Sequence, residues 1–271
     1  MRAARVLSED IVPYGIHHFD RREWVLKETG RGYRIWCSLD ERAICRPILV
    51  NRYEEAETRF VEKLLQPGDI VVDAGANVGY FSLLCASLVG EGGRVEAFEP
   101  LPYLADALQA SVDENGFRSR VRIYRLALAD VAGNTLIRHA PRTANFGGAH
   151  LALPSPLPED HVDEAVRTVR LDDIFAGSKC RFLKLDVEGA EPRVIRGATR
   201  LLADARPVIM SELHNGQLRA VSGTDATAFI SQMNALRYRC RSIDESGEPG
   251  APIDRYDLSA PLNVVFEPTS A

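Results

Sequence analysis

The stretch Val71-Val-Asp73-Ala-Gly75-Ala76-Asn77-Val-Gly79-Tyr-Phe81 holds the residues best suited to bind a cofactor. An apolar run enters a turn with glycines at 75 and 79, and a helix-forming run follows. Glycine admits positive-φ turns and close backbone approach, and a helix start offers free N–H donors. Glu99 closes the next apolar run, 20 residues after Gly79. An acid at about that spacing accepts hydrogen bonds from ribose hydroxyls. The pair of features points to an adenosine-bearing cofactor, either NAD or S-adenosyl-L-methionine. A carboxylate at Asp73 would repel a diphosphate and attract an ammonium group. Asn77 also stands where the dinucleotide fingerprint puts its second glycine. Both observations favour the methyl donor, with an NAD-dependent oxidoreductase as the alternative; no Tyr-x-x-x-Lys pair downstream supports that alternative.

A second group lies downstream. Asp186 and Glu188 follow the apolar run Arg181-Phe-Leu-Lys-Leu185. Ligands of open α/β sheets bind beyond the carboxyl ends of the strands, so Asp186 is expected to face the cofactor. Glu212 and His214 are spaced i, i+2 on another apolar run and share a face if that run is a strand. His214 could take the proton of an acceptor hydroxyl. Alternatively Asp186, Glu212 and His214 could ligate a hard divalent metal; the metal-free arrangement is favoured. Asp186, His214 and Glu188 are thus the catalytic candidates. Lys184 either pairs with Asp186 or another acid, or snorkels to the surface. Glu191 is expected to cap the helix it begins.

Elements that alternate in type must position these residues. Strands are expected at 69–73, 94–98, 121–128, 181–186 and 207–214, with helices at 54–66, 79–89, around 104–115, 191–203 and 224–236. Apolar strands separated by helices of this length make βαβ units, hence a mostly parallel sheet covered on both faces. The late strands 238–243 and 262–266 are read as an antiparallel pair. Residues 1–53, with the alternating Tyr33–Leu39, read as a small N-terminal cap of short strands before the main domain at 54–271. Segment 139–164, with Pro141, Pro154, Pro156 and Pro158 around Asn145-Phe-Gly-Gly148, interrupts the rhythm and is a candidate lid loop.

The chain has 271 residues, 45% hydrophobic and 26% charged, the balance of a globular domain. A net charge of −5 gives no basic excess, so a nucleic-acid partner is not expected. The five cysteines are scattered without a CxxC pair, which argues against disulfides and thiolate zinc and fits a cytoplasmic setting. The most apolar 20-residue window, 71–90, contains Asp73, Asn77 and three glycines, so no membrane span is expected.

Several motifs together resemble the FkbM-family methyltransferases. They are Asp73-Ala-Gly-Ala-Asn-Val-Gly79, Ala97-Phe-Glu-Pro100, Ala127-Leu-Ala-Asp130 with Gly133, Leu171-Asp-Asp-Ile174, Leu183-Lys-Leu-Asp-Val-Glu-Gly-Ala-Glu191, Gly197-Ala198 and Glu212-Leu-His214. The resemblance covers about residues 53–215. It implies a class I methyltransferase, Rossmann-like α/β fold with a seven-stranded sheet, S-adenosyl-L-methionine as cofactor, and O-methylation of a natural-product or sugar hydroxyl. By the same resemblance Asp73, Gly75, Asn77 and Gly79 surround the methionine moiety, with Ala76 and Phe81 in the same cofactor-binding set. Glu99 takes the ribose and Pro100 turns the chain outward. Ala127 and Leu128 lie against the adenine, with Asp130 just beyond, and Tyr53 with Glu54 closes over the cofactor or staples the helix entry. The expected partner is a small-molecule hydroxyl acceptor, with a homo-oligomer possible.

Overall fold

The computed structural model describes residues 22–141, 145, 147–152 and 156–269. Expectations that fall on the remaining residues, Phe146 and Pro154 among them, lie outside the described residues.

The chain opens with a hairpin, β1 (Trp24–Glu28) and β2 (Arg34–Ser38), and two helices, α1 (Cys45–Leu49) and α2 (Glu55–Leu64). Alternation then begins: β3 (Ile70–Ala74), α3 (Tyr80–Val89), β4 (Arg94–Phe98), α4 (Pro102–Glu114) and β5 (Val121–Tyr124). Four strands that leave the main sheet follow: β6 (Ala127–Leu128), β7 (Gly133–His139), β8 (His150–Leu151) and β9 (Val162–Val169). Next come α5 (Leu171–Phe175), β10 (Phe182–Leu185), α6 (Glu191–Arg196), α7 (Thr199–Asp204) and β11 (Val208–Leu213). A short α8 (Asn215–Gln217) and one wide turn at Leu218–Ser222 precede α9 (Ala226–Ala235), β12 (Tyr238–Ile243), β13 (Pro249–Pro252) and β14 (Leu262–Pro268).

The main sheet runs β13-β12-β14-β11-β10-β3-β4-β5. Strands β5, β4, β3, β10 and β11 are parallel, and β14 is antiparallel to both β11 and β12. The doubly wound α/β order turns over between β3 and β10, where a class I methyltransferase fold places its ligand crevice. Seven strands follow the expectation, and β13 adds an eighth at the edge. Its Pro249 and Pro252 donate no ladder hydrogen bonds, a composition confined to edges.

Neighbouring residues of β3 feed opposite cores, as a strand buried on both faces requires. Val71 packs with α2, α3, α4 and the N-terminal hairpin, whereas Val72 packs with α5, α6, α7 and α9. Burying both valines stabilises the sheet by about 3–6 kcal/mol together. The hairpin docks on α4, where the Trp36 N–H donates to Ser111 Oγ at 3.0 Å and Asn115 bridges the N–H and C=O of Arg34. All five cysteines are free and buried. No helix among the described residues is long and apolar enough to cross a membrane.

Three sequence expectations are corrected. The strand expected over 121–128 is two: β5 stays in the main sheet, and β6 pairs with β9 in a separate four-stranded sheet, β6-β9-β7-β8. Segment 139–164 is not one structureless loop, because β8 and the start of β9 lie inside it, each paired with β7. The helix expected over 191–203 breaks at Gly197, where a Cβ would stand 2.2 Å from the Ala129 carbonyl oxygen. Asp172 then starts α7 afresh, its carboxylate accepting from the N–H groups of Arg200 and Leu201 at 3.0 and 2.9 Å.

Candidate active site

A cleft of about 940 Å³, open to solvent, lies across the carboxyl ends of β3, β4 and β10. One end is apolar, with Phe98, Leu104, Leu126, Ala127 and Leu128; the other is charged, with Asp73, Lys184, Asp186 and Glu188. Of the residues singled out from the sequence, Asp73, Gly75, Ala76, Asn77, Phe81, Glu99, Pro100, Ala127, Leu128, Asp186 and Glu188 all line it.

The floor is set by the glycine turn. Gly75 has φ +83, and a Cβ there would lie 1.9 Å from the Asp186 backbone oxygen. Strand ends β3 and β10 therefore meet backbone to backbone, which only glycine allows. Asn77 and Glu188 take the left-handed φ of +52 and +55 at the cleft, and Glu54 a φ of +40 beside it. Strained non-glycine backbone of this kind clusters at ligand sites.

Glu99 is 4% exposed, and both its oxygens are held: Oε2 by the Asn77 N–H at 2.8 Å, Oε1 by the Leu101 N–H at 2.9 Å. Burial pushes its carboxyl up to about 7 against those two donors. Asp73 is 1% exposed and accepts from Ser82 Oγ at 2.6 Å through Oδ2. Its Oδ1 is buried with no hydrogen-bond partner. An orphaned acceptor oxygen costs about 1–3 kcal/mol unless a ligand donor reaches it. A ligand ammonium would satisfy it, so the residues present fit an amino-acid-bearing cofactor.

Lys184 resolves its own ambiguity. It is 6% exposed, bonds Asp186 Oδ2 at 2.8 Å and lies 5.1 Å from the Phe81 ring centroid. Burial pulls it toward the neutral form, but Asp186, Asp73 and Glu54 hold it above its ordinary value. Burial and the nearby Asp186 push Glu54 and Glu212 up to about 7, in each case against Lys184. Glu188 is raised further by burial, Asp186 and Glu212. Its Oε2 accepts from the Gln217 side-chain amide, and its Oε1 faces Gly147 of the β7–β8 connection.

Residues 73–240 match the family model described as the methyltransferase FkbM domain. The chain belongs to the FkbM methyltransferase family. It is 33% identical over 162 residues to the 31-O-demethyl-FK506 methyltransferase FkbM of Streptomyces tacrolimicus, covering 49% of this chain and 60% of that protein. It is 27% identical over 184 residues to the hexuronic acid methyltransferase AglP of Haloferax volcanii, covering 67% and 69%. Among solved structures it is similar to a methyltransferase FkbM from Methylobacillus flagellatus KT, with a TM-score of 0.44 and 16% identity over 82% of this chain and 52% of that one. The chain thus spans less than two thirds of the length of the Streptomyces relative.

Within the FkbM domain, three expected placements differ. Gly79 lies behind the cleft wall: a Cβ there would meet Leu108 Cδ1 at 2.2 Å, so this glycine lets α3 pack on α4. Asp130 is turned away, ion-paired to Arg193 and Arg196 at 3.2 and 2.9 Å, which hold its carboxyl below the usual range. Strand β11 ends at Leu213 and His214 keeps an extended backbone, φ −123 and ψ +98, but it is not among the residues that line the cleft. The His214 ring instead caps α8, with Nδ1 accepting from the Gln217 N–H at 3.3 Å. Nor do Asp186, Glu212 and His214 converge as a ligand set: no three His, Cys, Asp or Glu side chains among the described residues are disposed to share a metal ion.

Glu191 uses its carboxylate on the turn before its helix, accepting from the Val187 and Gly189 N–H groups at 2.9 and 3.2 Å. Sequence reasoning passed over Gln217, Ile44 and His150. Gln217 orients Glu188, while Ile44 and His150 line the cleft from outside the glycine-turn motif. Tyr53 lines the cleft and packs edge-on against Tyr80 at 5.0 Å.

Proposed function

We propose that the cleft binds S-adenosylmethionine and that the protein transfers its methyl group to a hydroxyl of a small molecule, a natural product or a sugar. The orphaned Asp73 Oδ1 carries this reading. In an FkbM-family chain, a buried unpaired carboxylate oxygen beside the glycine turn fits an ammonium and would face the diphosphate of a dinucleotide. The relatives named for action on 31-O-demethyl-FK506 and on a hexuronic acid support a small-molecule acceptor.

When bound, S-adenosylmethionine supplies an electrophilic methyl group on a sulfonium. The chain supplies the rest. Asp73 takes the ammonium, Gly75 leaves room beside it, Glu99 accepts from the ribose, and the apolar end takes the adenine. Glu188, oriented by Gln217, replaces His214 as the group that accepts the acceptor's proton. A carboxyl raised by burial is suited to that task near neutral pH, worth roughly 10²–10⁴ in rate. Gly147, Ala149 and His150, which line the cleft from the β7–β8 side, shield it from water. Positioning supplies the larger share of the acceleration.

Calorimetry with S-adenosylhomocysteine and NAD tests the cofactor. Micromolar binding of the first and silence from the second is expected; the reverse result refutes the reading. Once an acceptor is in hand, Glu188→Gln should lower kcat by about 10² or more with little change in cofactor affinity. An unchanged kcat removes Glu188 from proton transfer.

A further inference from the structure

The charged end of the cleft has a lopsided charge. Asp73, Asp186 and Glu188 line it; Glu54 adjoins the lining residue Tyr53, and Glu212 follows Ser211, which pairs across the sheet with Leu185 just before Asp186. Against these five acids stands Lys184, the only Lys or Arg among the described lining residues of the cleft. Its ammonium is already engaged by Asp186 at 2.8 Å and by the Phe81 ring. Asp73, whose Oδ1 is buried and unpartnered, lines the same end.

Grouped half-buried carboxyls repel one another unless protons or a cation relieve them. Lys184 opposes the rise of Glu54 and Glu212, and Gln217 that of Glu188, yet burial and the neighbouring Asp186 leave all three raised. A ligand with more positive charge there is therefore held more strongly than an isosteric ligand with less. On the reading that the cleft holds S-adenosylmethionine, one ammonium meets Asp73, and a second positive charge, the sulfonium, remains for the other acids.

We propose that Glu54 and Glu212 determine the charge specificity of the cofactor site, favouring the sulfonium donor over its neutral thioether product. Methyl transfer breaks the sulfur–methyl bond and forms an oxygen–methyl bond. The acceptor proton goes to the base, and the sulfur keeps the electron pair and loses its positive charge. The acids then face one cation fewer, and the product is loosened in the same event that makes it.

The test compares three ligands by calorimetry at about pH 8, where carboxyls of this kind are mostly ionised. S-adenosylmethionine and sinefungin are positively charged at the sulfur position; S-adenosylhomocysteine is not. In Glu54→Gln and Glu212→Gln, Kd for the two charged ligands should rise on the order of tenfold, while Kd for S-adenosylhomocysteine changes less than about threefold. Parallel shifts for all three ligands, or no shift for any, overturn the proposal. If none of the three binds the wild type, the cofactor assignment itself has failed. Should a variant not fold, the wild type decides: raising NaCl from about 0.05 M to about 0.5 M must weaken the charged ligands more than the neutral one. Equal weakening counts against the proposal.

Discussion

Replacing Gly75 with alanine probes the tightest surroundings of any glycine among the described residues. Two costs follow from the structure. Alanine at φ +83 sits in the left-handed region, at about 1–2 kcal/mol. Its Cβ would also stand 1.9 Å from the Asp186 backbone oxygen. That contact cannot be relieved by a rotamer, so the ends of β3 and β10 must separate, at about 1–3 kcal/mol more. The expected loss is about 2–5 kcal/mol in urea unfolding. Kd for S-adenosylhomocysteine should also rise at least about tenfold, because the floor between Asp73 and Asp186 moves. Gly223→Ala is the control: it has φ +65 with nothing within 4 Å, so only the backbone cost of about 1 kcal/mol applies. Equal destabilisation of the two variants, with unchanged Kd in both, would refute the argument from close approach.

Other expectations follow from the same geometry. Glu99 and Glu191 move from 4.5 to about 7 on folding, so the native state binds their protons more tightly. Their contribution, up to about 3 kcal/mol each, is full below pH 4.5 and lost as pH rises to 7. Tm should therefore be higher at pH 6 than at pH 8; a Tm that rises over that interval contradicts the burial argument. Lys184→Met leaves Asp186 and Asp73 without their cation and should cost about 3–5 kcal/mol in denaturant unfolding, more at pH 8 than at pH 6. A smaller loss at the higher pH would show that Lys184 is not the counter-ion. His214→Ala should keep both kcat and the Kd for S-adenosylhomocysteine within about threefold while costing about 1 kcal/mol as a lost cap. Loss of turnover with intact binding would restore His214 to the mechanism.

The features legible in the sequence were those with a local cause. Apolar runs bounded by Gly75, Gly79 and Gly92-Gly93 mark β3 and α3 because each signal acts within its own element. Glu99 was found by its spacing from the same turn. The second sheet was hidden because β6 and β8 have two residues each and show no periodicity; cross-strand partners define them. The proline-dense segment reads as a loop until β7 is seen to pair with β9 along its whole length. The capping role of His214 is not legible from its spacing to Glu212, because its partner, the Gln217 N–H, is supplied by the turn after β11. The depth of Lys184 and its partner Asp186, two residues on, are legible from local sequence, but its closeness to Asp73 depends on the register between β3 and β10, where the two lie opposite.

Asn115 has a consequence for behaviour in concentrated solution. Its amide donates to the Arg34 carbonyl at 2.6 Å and accepts from the Arg34 N–H at 2.7 Å, the two bonds a neighbouring strand would make. With Ser111 on the Trp36 N–H, a helix occupies the open side of a two-stranded ribbon. An uncovered ribbon edge is a template for another chain. The two helix side chains thus guard against self-association, and their loss would show as concentration-dependent light scattering before it showed as a change in the cofactor cleft.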